Sequence, residues 1–266
     1  MTLLADQFRS LHRPGDPLLL PNPWDVGSAR ILSTLGFRAL ATTSSGFAAT
    51  LGRPDTFVTR DEALAHAAAI VAATDVPVSA DLENGFADDP AGVAETARRA
   101  VAAGLAGFSI EDATARADDP IHDAALAAER VAAAVEAAAG RAVVTARAEN
   151  HLHGRDDLAD TIARLQSFQD AGADVLYAPG LTTADQIRAV VASVDRPVNV
   201  LALPGTPPVA ELADLGVARI SVGGAFAFAA LGGLVAAATE LRERGTYGYW
   251  AAAKSGRAAA GEAFAD

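Results

Sequence analysis

Cysteine is absent from this sequence of 266 residues. Its absence excludes disulfide bonds, zinc sites built on thiolates and catalysis by a thiol nucleophile. Lysine is nearly absent as well, since Lys254 is the one lysine and lies in the C-terminal tail. A Schiff-base aldolase of the barrel type needs a lysine inside its active site, so that class of enzyme is excluded too.

Positive charge is scarce, and the formal net charge is -12 at pH 7. A phosphate footprint needs a basic surface, so nucleic acid and anionic membrane are not expected partners. The first residues lack the apolar core of a secretory signal, and the Ala-rich segments carry Arg, Asp and Glu at regular positions, so we expect no signal peptide and no membrane span. The composition therefore predicts a soluble, cytoplasmic protein in which any anionic ligand is held by local donors.

An internal repeat organises the chain. Four segments place a glycine at the end of an Ala-rich helical stretch and continue as a short apolar strand: LGFRALATT, AGLAGFSIED, AGADVLYAPG and LGVARISVGG. Three more begin with a helix breaker and continue as a strand: TDVPVSADLE, GRAVVTARAE and VDRPVNVLAL. With DPLLLPN near the start, the pattern predicts eight strands, and apolar residues at helical spacing predict helices between them.

Eight alternating units with nearly all-apolar strands predict an α/β protein, a parallel (β/α)8 barrel of the TIM type that is buried on both sides of its sheet. An open, doubly wound sheet is the alternative. We expect a single domain over residues 1–266, with the barrel over about 1–240 and a helical tail over about 241–266.

Polar residues gather where predicted strands two to five end, which is the end of a barrel that carries the active site. They are Ser44, Ser45 and Gly46 after strand two, Asp81, Glu83 and Asn84 after strand three, Glu111 and Asp112 after strand four, and Arg147, Glu149 and Asn150 after strand five. Residues two apart on a strand share a face, so Asp81 and Glu83 should point the same way and need a positive partner. Two structural alternatives stay open: Asp112 caps the next helix, or Glu149 only pairs with Arg147.

Asp81, Glu83 and Glu111 form an all-oxygen set, which suits Mg²⁺ or Mn²⁺. Arg147 is the candidate for a bidentate grip on a substrate carboxylate. The backbone N–H groups around Ser44, Ser45 and Gly46 are a second candidate for anion binding, since glycine lets the chain approach a ligand closely.

The runs ALATTSSGFAATLGRPD, VSADLENGF, AGFSIED and VTARAE, in this order and spacing, resemble the isocitrate lyase and phosphoenolpyruvate mutase superfamily over almost the whole chain. The resemblance implies a Mg²⁺-dependent barrel that makes or breaks a C–C or C–P bond beside a 2-oxo acid through an enolate-like intermediate. It implies that Asp81 binds the metal, that Glu83 and Glu111 act on it through water, and that Arg147 binds substrate. It also makes Ser45 with Gly46 the substrate-binding turn and Asp55, in LGRPD, a loop acid of the active site.

Two departures from the family pattern reduce the number of reactions that we expect. The loop after strand four, ATARADDPIHD, has neither the lysines nor the catalytic cysteine of the family's lyases, and Pro179 stands where those lyases tend to carry a glutamate. Decarboxylation or C–C cleavage of a small 2-oxo or 2-hydroxy acid, with an oxaloacetate-like substrate, mainly needs polarisation of the keto oxygen and stays compatible. His122, His151 and His153 are candidate acids or bases for a retro-aldol step.

Three other interpretations remain open. The chain could be a phosphonomutase or a phosphonopyruvate hydrolase-like enzyme, or a barrel that binds 2-oxo acids without turnover. The HLH motif, His151 to His153, could be the metal pair of a zinc hydrolase, although no further histidine lies at a strand end.

The C-terminal segment carries Tyr247, Tyr249, Trp250 and Phe264 on helical material. Exposed aromatic residues usually have a surface on which to be buried. That surface is the protein's own barrel in one interpretation. The family resemblance implies instead a helix exchanged between subunits, in a homodimer or homotetramer.

Overall fold

The structure is a computed structural model that describes residues 4–265. Eight strands form one sheet: β1 (Leu18–Leu20), β2 (Leu40–Ala41), β3 (Val78–Asp81), β4 (Gly107–Glu111), β5 (Val143–Arg147), β6 (Val175–Tyr177), β7 (Val198–Leu201) and β8 (Arg219–Ser221). Every neighbouring pair is parallel, in the order β1-β8-β7-β6-β5-β4-β3-β2. A backbone hydrogen bond of 3.1 Å from the Ala41 N–H to the Pro21 carbonyl joins the two ends. The predicted (β/α)8 barrel is confirmed.

The helices alternate with the strands along the chain. They are α1 (Leu4–Ser10), α2 (Val26–Thr34), α3 (Ser44–Thr50), α4 (Arg60–Ala72), α5 (Pro90–Ala102), α6 (Ala124–Ala138), α7 (Leu158–Asp170), α8 (Ala184–Ser193), α9 (Val209–Asp214), α10 (Ala225–Arg244) and α11 (Trp250–Ala263), with a short 3-10 turn at Asn150–His153. Side-chain caps fix several of the starts, among them Thr59 before α4 and Thr183 before α8, each with a reciprocal capping box. A cap of this kind stabilises a helix by about 1 kcal/mol.

Alternation along the strands divides the core into an outer and an inner part. Phe108, Ile110 and Val144 point outward and pack under the helices. Leu18 and Val143 point inward, where Phe8 of α1 packs against them. The inner apolar cluster therefore fills one end of the barrel and leaves the other end, where the strands terminate, for polar residues.

The C-terminal helices behave differently from the others. Of the described residues of α10 only Ala227 is buried, and α11 has none that are buried. The expected start of the tail, near residue 240, falls inside α10. The sequence interpretation that no segment resembles a membrane span needs correction, because α10 is long and apolar enough to cross a membrane by length and composition. A single helix that meets those two criteria is weak support for a span.

Candidate active site

A cavity of about 180 Å³ opens at the carboxyl ends of the strands. Ser44, Ser45, Asp55, Asp81 and Arg147 border it, and all five are residues that the sequence indicated. Binding sites for drug-sized ligands occupy roughly 300 to 1,000 Å³, so this cavity suits a smaller molecule.

Arg147 is the centre of the charged groups at this cavity. Its Nη1 lies 3.1 Å from Asp81 Oδ1 and 3.1 Å from Glu111 Oε2, and its Nε lies 2.8 Å from Glu149 Oε1. Burial opposes the charge on this guanidinium, but the three carboxylates outweigh burial and raise the pKa of Arg147 well above its ordinary value. In this structure a guanidinium therefore separates the acidic side chains that the sequence places together.

These contacts change the expectation that Arg147 grips a substrate carboxylate with two donors. A bidentate grip needs two neighbouring donors of the guanidinium, and Nε and Nη1 both donate to protein carboxylates. Nη2 makes no hydrogen bond to any residue in the described range 4–265, which leaves it as the donor for a ligand. The alternative in which Glu149 pairs with Arg147 holds, but the arginine also contacts Asp81 and Glu111.

Negative charge at the site exceeds what one arginine neutralises. Burial, followed by repulsion from Asp81 and Asp55, raises the pKa of Glu83 to about 8. Burial likewise raises the pKa of Glu111 well above its ordinary value, and also that of Glu149. Carboxyl groups that resist ionisation for these reasons would be stabilised as carboxylates by a hard divalent cation, so the donor set fits such an ion.

The described side chains also limit how that ion can be held. Within residues 4–265 no group of three or more His, Cys, Asp or Glu side chains is arranged to bind a metal together. Mg²⁺ commonly uses one or two carboxylates and keeps several waters. Asp81 is the candidate for direct contact, because its carboxylate borders the cavity, and Glu83 and Glu111 are candidates for contact through water.

The position of Glu83 is not explained by the alternation of side chains along a strand. Strand β3 ends at Asp81, and Glu83 has a φ of 48°, in the left-handed region that is unusual for a residue with a side chain. Asp81 and Glu83 nevertheless border one small hollow together with Ser44 and His66. Strain of this kind persists where the surrounding structure enforces it and clusters at functional sites.

The segment after β2 is the first turn of α3. The Ser44 N–H donates to Asp81 Oδ2 at 3.3 Å, and the Gly46 N–H donates to the Thr43 cap, also at 3.3 Å. Gly46 is buried and does not border the cavity. A Cβ at Gly46 would lie 2.6 Å from Thr43 Cγ2, so close packing explains this glycine.

Asp55 follows on the loop after α3 and faces the same cavity. Burial raises the pKa of its carboxyl, whereas a hydrogen bond with the Ser44 side chain partly offsets that effect. An aspartic acid in this state holds a proton closer to neutral pH than a surface aspartate does.

Asp112 connects strand ends and does not cap a helix. Its Oδ1 accepts the Glu149 N–H at 2.9 Å and its Oδ2 accepts from Arg164 Nη1 at 3.1 Å, while α6 is capped by Asp123. The helix-cap interpretation of Asp112 is therefore wrong. Asp112 supports the active site by positioning the backbone of Glu149.

The three candidate histidines stay outside the cavity. His122 is buried, and its Nε2 lies 3.8 Å from Asp88 Oδ1 without a hydrogen bond. His151 Nε2 lies 3.2 Å from Thr161 Oγ1 on α7. No described residues complete a zinc site around His151 and His153, so the structure lends no support to the zinc hydrolase interpretation.

The sequence interpretation named no polar residue of strands six to eight, yet these strands supply several to the cavity. These are Tyr177, Asn199, Arg219 and Ser221. The Tyr177 ring centroid lies 5.1 Å from Arg147 Cζ, so the ring packs against the guanidinium. The signal was present in the sequence, since a tyrosine, an asparagine and an arginine within short apolar strands fall on the inward-facing positions.

A family model described as phosphoenolpyruvate phosphomutase matches residues 8–242. The chain belongs to this family. The assignment places it in the isocitrate lyase and phosphoenolpyruvate mutase superfamily, as the resemblance of its strand-end motifs implied.

Among relatives, a protein of Mycobacterium tuberculosis without a characterised activity is 37% identical over 218 residues, which are 81% of this chain and 81% of that protein. An oxaloacetate decarboxylase of Bradyrhizobium sp. is 30% identical, over 73% of this chain and 67% of that enzyme. A 2-methylisocitrate lyase of Halalkalibacterium halodurans is 29% identical, over 73% of this chain and 66% of that enzyme. The superfamily therefore includes relatives that act as lyases and decarboxylases.

Among solved structures, a protein from Burkholderia cenocepacia J2315 that is provisionally named a lyase/mutase is 55% identical, with a TM-score of 0.94 and coverage of 98% of this chain and 95% of that chain. A 2,3-dimethylmalate lyase is 29% identical, with a TM-score of 0.83 and coverage of 93% and 90%. These relationships support an enzyme of the lyase and mutase group.

Proposed function

We propose that this protein is a Mg²⁺-dependent lyase that cleaves or decarboxylates a small 2-oxo or 2-hydroxy carboxylic acid with an oxaloacetate-like skeleton. The observation that carries the proposal is the small cavity at the strand ends that Arg147 and Asp81 border, with Glu111 and Glu149 also in contact with the Arg147 guanidinium. Among relatives, an oxaloacetate decarboxylase and a 2-methylisocitrate lyase act on acids of this kind by their names.

In this proposal Arg147 and Tyr177 hold the reacting end of the substrate. Nη2 of Arg147 donates to a carboxylate or keto oxygen, because Nε and Nη1 are already engaged. Burial raises the pKa of Tyr177 to about 12, so its hydroxyl stays protonated at neutral pH and can donate to an oxygen that gains negative charge. Fixed donors in a buried site are the arrangement that stabilises an enolate-like oxyanion.

Asp55 is the proposed proton carrier. Its raised pKa and its place at the cavity mouth suit it to give a proton to a leaving carbanion or to take one from a hydroxyl. The hydrogen bond with Ser44 orients the carboxyl and supports its charged form after the proton has left.

Asp81 would hold the Mg²⁺, with Glu83 and Glu111 orienting its waters. When bound, the ion supplies Lewis-acid polarisation of a keto oxygen. The protein itself supplies the carboxyl groups of Glu83 and Glu111. Burial and neighbouring carboxylates raise their pKa values, so a nearby cation would favour their charged forms.

The test is a screen of 2-oxo and 2-hydroxy acids with Mg²⁺ or Mn²⁺, following release of pyruvate or glyoxylate, with EDTA as the metal-free control. Metal-dependent turnover of an oxaloacetate-like acid would support the proposal. Turnover of phosphonopyruvate alone would favour the phosphonomutase or phosphonopyruvate hydrolase alternative. Binding of 2-oxo acids without product in any assay would favour the non-catalytic alternative and end the lyase proposal.

We also propose that the protein works as a homodimer or homotetramer in which α10 is covered by another subunit. Phe228, Leu234 and Val235 of this helix have exposed fractions of 52%, 64% and 64%. Several large apolar side chains exposed on one helix are typical of an interaction surface.

A further inference from the structure

The barrel interior beneath the cavity mouth is polar. Inward positions of TIM barrels are usually filled by bulky branched residues that pack in layers. Here the lining includes small or polar side chains from four strands: Ser79, Ser109, Asn199, Arg219 and Ser221. Thr145 of β5 lies beside them in contact with Arg219. The cavity therefore extends inward from the ring of acids around Arg147 to a second guanidinium on β8.

Neutral groups hold Arg219 in place. Its Nε donates to Asn199 Oδ1 at 2.9 Å, and its Nη1 donates to Thr145 Oγ1 at 3.1 Å. Nη1 also lies 3.2 Å from His12 Nε2. His12 Nδ1 lies 2.9 Å from the Phe8 carbonyl and must donate to it, so Nε2 is the unprotonated nitrogen and accepts from Arg219.

The charge on Arg219 is not neutralised by the protein. No carboxylate within residues 4–265 forms an ion pair with it, whereas Arg147 contacts three. Burial, opposed only by Tyr177, and repulsion from Arg147 lower the pKa of Arg219 to about 10, so it still carries its charge at neutral pH. A buried cation that lacks a counter-ion favours binding of an anion.

One donor of Arg219 is available to a ligand. Its Nη2 makes no hydrogen bond to a described residue, and it is not among the fully enclosed side-chain atoms that lack a partner. This nitrogen therefore keeps some accessible area, and the open space beside Arg219 is the cavity.

We propose that Arg219 binds the second carboxylate of a dicarboxylic ligand whose first carboxylate or keto group is held at the mouth by Arg147. The site then discriminates dicarboxylic from monocarboxylic acids by charge at its inner end. Asn199 and Ser221 flank the guanidinium and complete a polar floor. The inference rests on the proposed function in that the cavity binds a small carboxylic acid, but it does not depend on which bond is broken.

Succinate and butyrate test the inference because they share a four-carbon chain and differ in one carboxylate. Their binding to the full chain with Mg²⁺ at neutral pH is measured by calorimetry for the wild type, Arg219→Met and Arg219→Gln. Arg188→Gln, which removes an exposed arginine on α8, is the control for loss of charge. We expect the wild type and the control to prefer succinate on the order of 10-fold, and both Arg219 variants to lose that preference while binding butyrate unchanged.

Equal binding of the two acids by the wild type would overturn the proposal without any variant. A preference for succinate that survives in a folded Arg219→Met or Arg219→Gln protein would also overturn it, and would leave Arg219 with only a structural role, as the contact between β8 and the segment after α1. Arg219→Gln keeps a polar group for Asn199 and decides the matter if the methionine variant fails to fold. Neither acid undergoes the proposed cleavage, so an absence of turnover in the substrate screen and an absence of succinate preference are separate failures.

Discussion

Arg147 has two roles, one in stability and one in ligand binding. It neutralises Asp81, Glu111 and Glu149, and it keeps Nη2 for a ligand. Removing it would leave several buried carboxylates in mutual repulsion, an uncompensated state that costs several kcal/mol in comparable sites. Stability and activity should therefore change together at this position.

Replacement of Arg147 by lysine tests this coupling. A lysine ammonium is a point charge that cannot contact three carboxylates and a ligand in the fixed geometry of the guanidinium. We expect kcat/KM to fall on the order of 10-fold or more and the melting temperature to fall as well, with a larger loss of both in Arg147→Ala. Steady-state kinetics and thermal unfolding measure the two effects. A destabilised Arg147→Lys protein with unchanged kcat/KM would contradict the substrate role and leave only the ion pairs.

Asp81 is the residue at which a metal effect should be largest. Its Oδ1 accepts from Arg147 at 3.1 Å and from the Glu83 N–H at 3.3 Å, so an asparagine of the same size should preserve the fold. We expect Asp81→Asn to lose metal-dependent activity and to weaken Mg²⁺ binding on the order of 10-fold or more, measured by calorimetry.

Asp61→Asn is the matched control for Asp81→Asn, because the Asp61 side chain is 80% exposed and pairs with Arg99 outside the site. Its Mg²⁺ affinity should equal that of the wild type. Wild-type turnover and metal affinity in Asp81→Asn would refute the metal assignment.

At the scale of elements, the segment after α1 contacts β8 through His12 and Arg219. Burial and the neighbouring charge of Arg219 lower the pKa of His12 from 6.5 to about 3. A histidine whose pKa is lower in the folded state adds stability above its unfolded pKa of about 6.5, and that stability is lost as the pH falls toward about 3. Protonation would also remove the acceptor that Arg219 uses.

We therefore expect the free energy of unfolding to decrease as the pH falls below about 6.5, and the His12→Gln variant to show a shallower decrease over the same range. One titrating group accounts for at most about 1.4 kcal/mol per pH unit, so the two curves should differ by no more than that slope. Urea unfolding at a series of pH values measures the free energy of unfolding of both proteins. Parallel curves for the two proteins would show that His12 does not titrate on unfolding as argued.

Two contacts hold the loop after β4, residues 113–123, in place. An antiparallel bridge joins Ala113 to Ile121, and Arg116 Nη1 pairs with Asp88 at 3.1 Å. The loop carries neither lysine nor cysteine, so it contributes no general acid of the usual lyase kind. Its expected role is to cover the site and exclude water.

This composition predicts that isocitrate and 2-methylisocitrate are poor substrates, although a relative 29% identical to this chain is a 2-methylisocitrate lyase. Glyoxylate or pyruvate release from either acid with Mg²⁺ measures the prediction. A kcat in the ordinary enzyme range of about 1 to 1,000 s⁻¹ for either acid would show that the missing residues are not decisive.

Secondary-structure elements are the part of this molecule that its sequence predicts well. Glycine caps and apolar strands occur in local patterns, so the barrel and the convergence of Asp81, Glu111 and Arg147 followed from spacing. The left-handed Glu83 did not, because alternation assumes that a strand continues. Nor did the contact of Arg219 with His12, which joins residues 207 positions apart and depends on how α1 packs against the barrel.

The whole molecule exposes an unusual amount of apolar surface at its C-terminal end. Leu231, Leu234 and Leu241 on α10 and Trp250 on α11 each have an exposed fraction above two fifths. The side chains of Arg242 and Glu243 at the end of α10 are also exposed. A helix with such composition is suited to a protein interface, provided that the partner offers a matching apolar surface.

A second copy of this chain is the partner that the family resemblance implies, and the double substitution Leu234→Glu/Val235→Glu tests it. Two carboxylates in an apolar interface would remain unpaired and desolvated, so the variant should shift from dimer or tetramer toward monomer at micromolar concentration. Ala132→Glu, on an exposed position of α6, is the control and should keep the wild-type mass. Light scattering during gel filtration measures the mass, and circular dichroism checks that the barrel is intact. A monomeric wild type, or a double variant that keeps the wild-type mass, would show that α10 is not the surface through which copies associate.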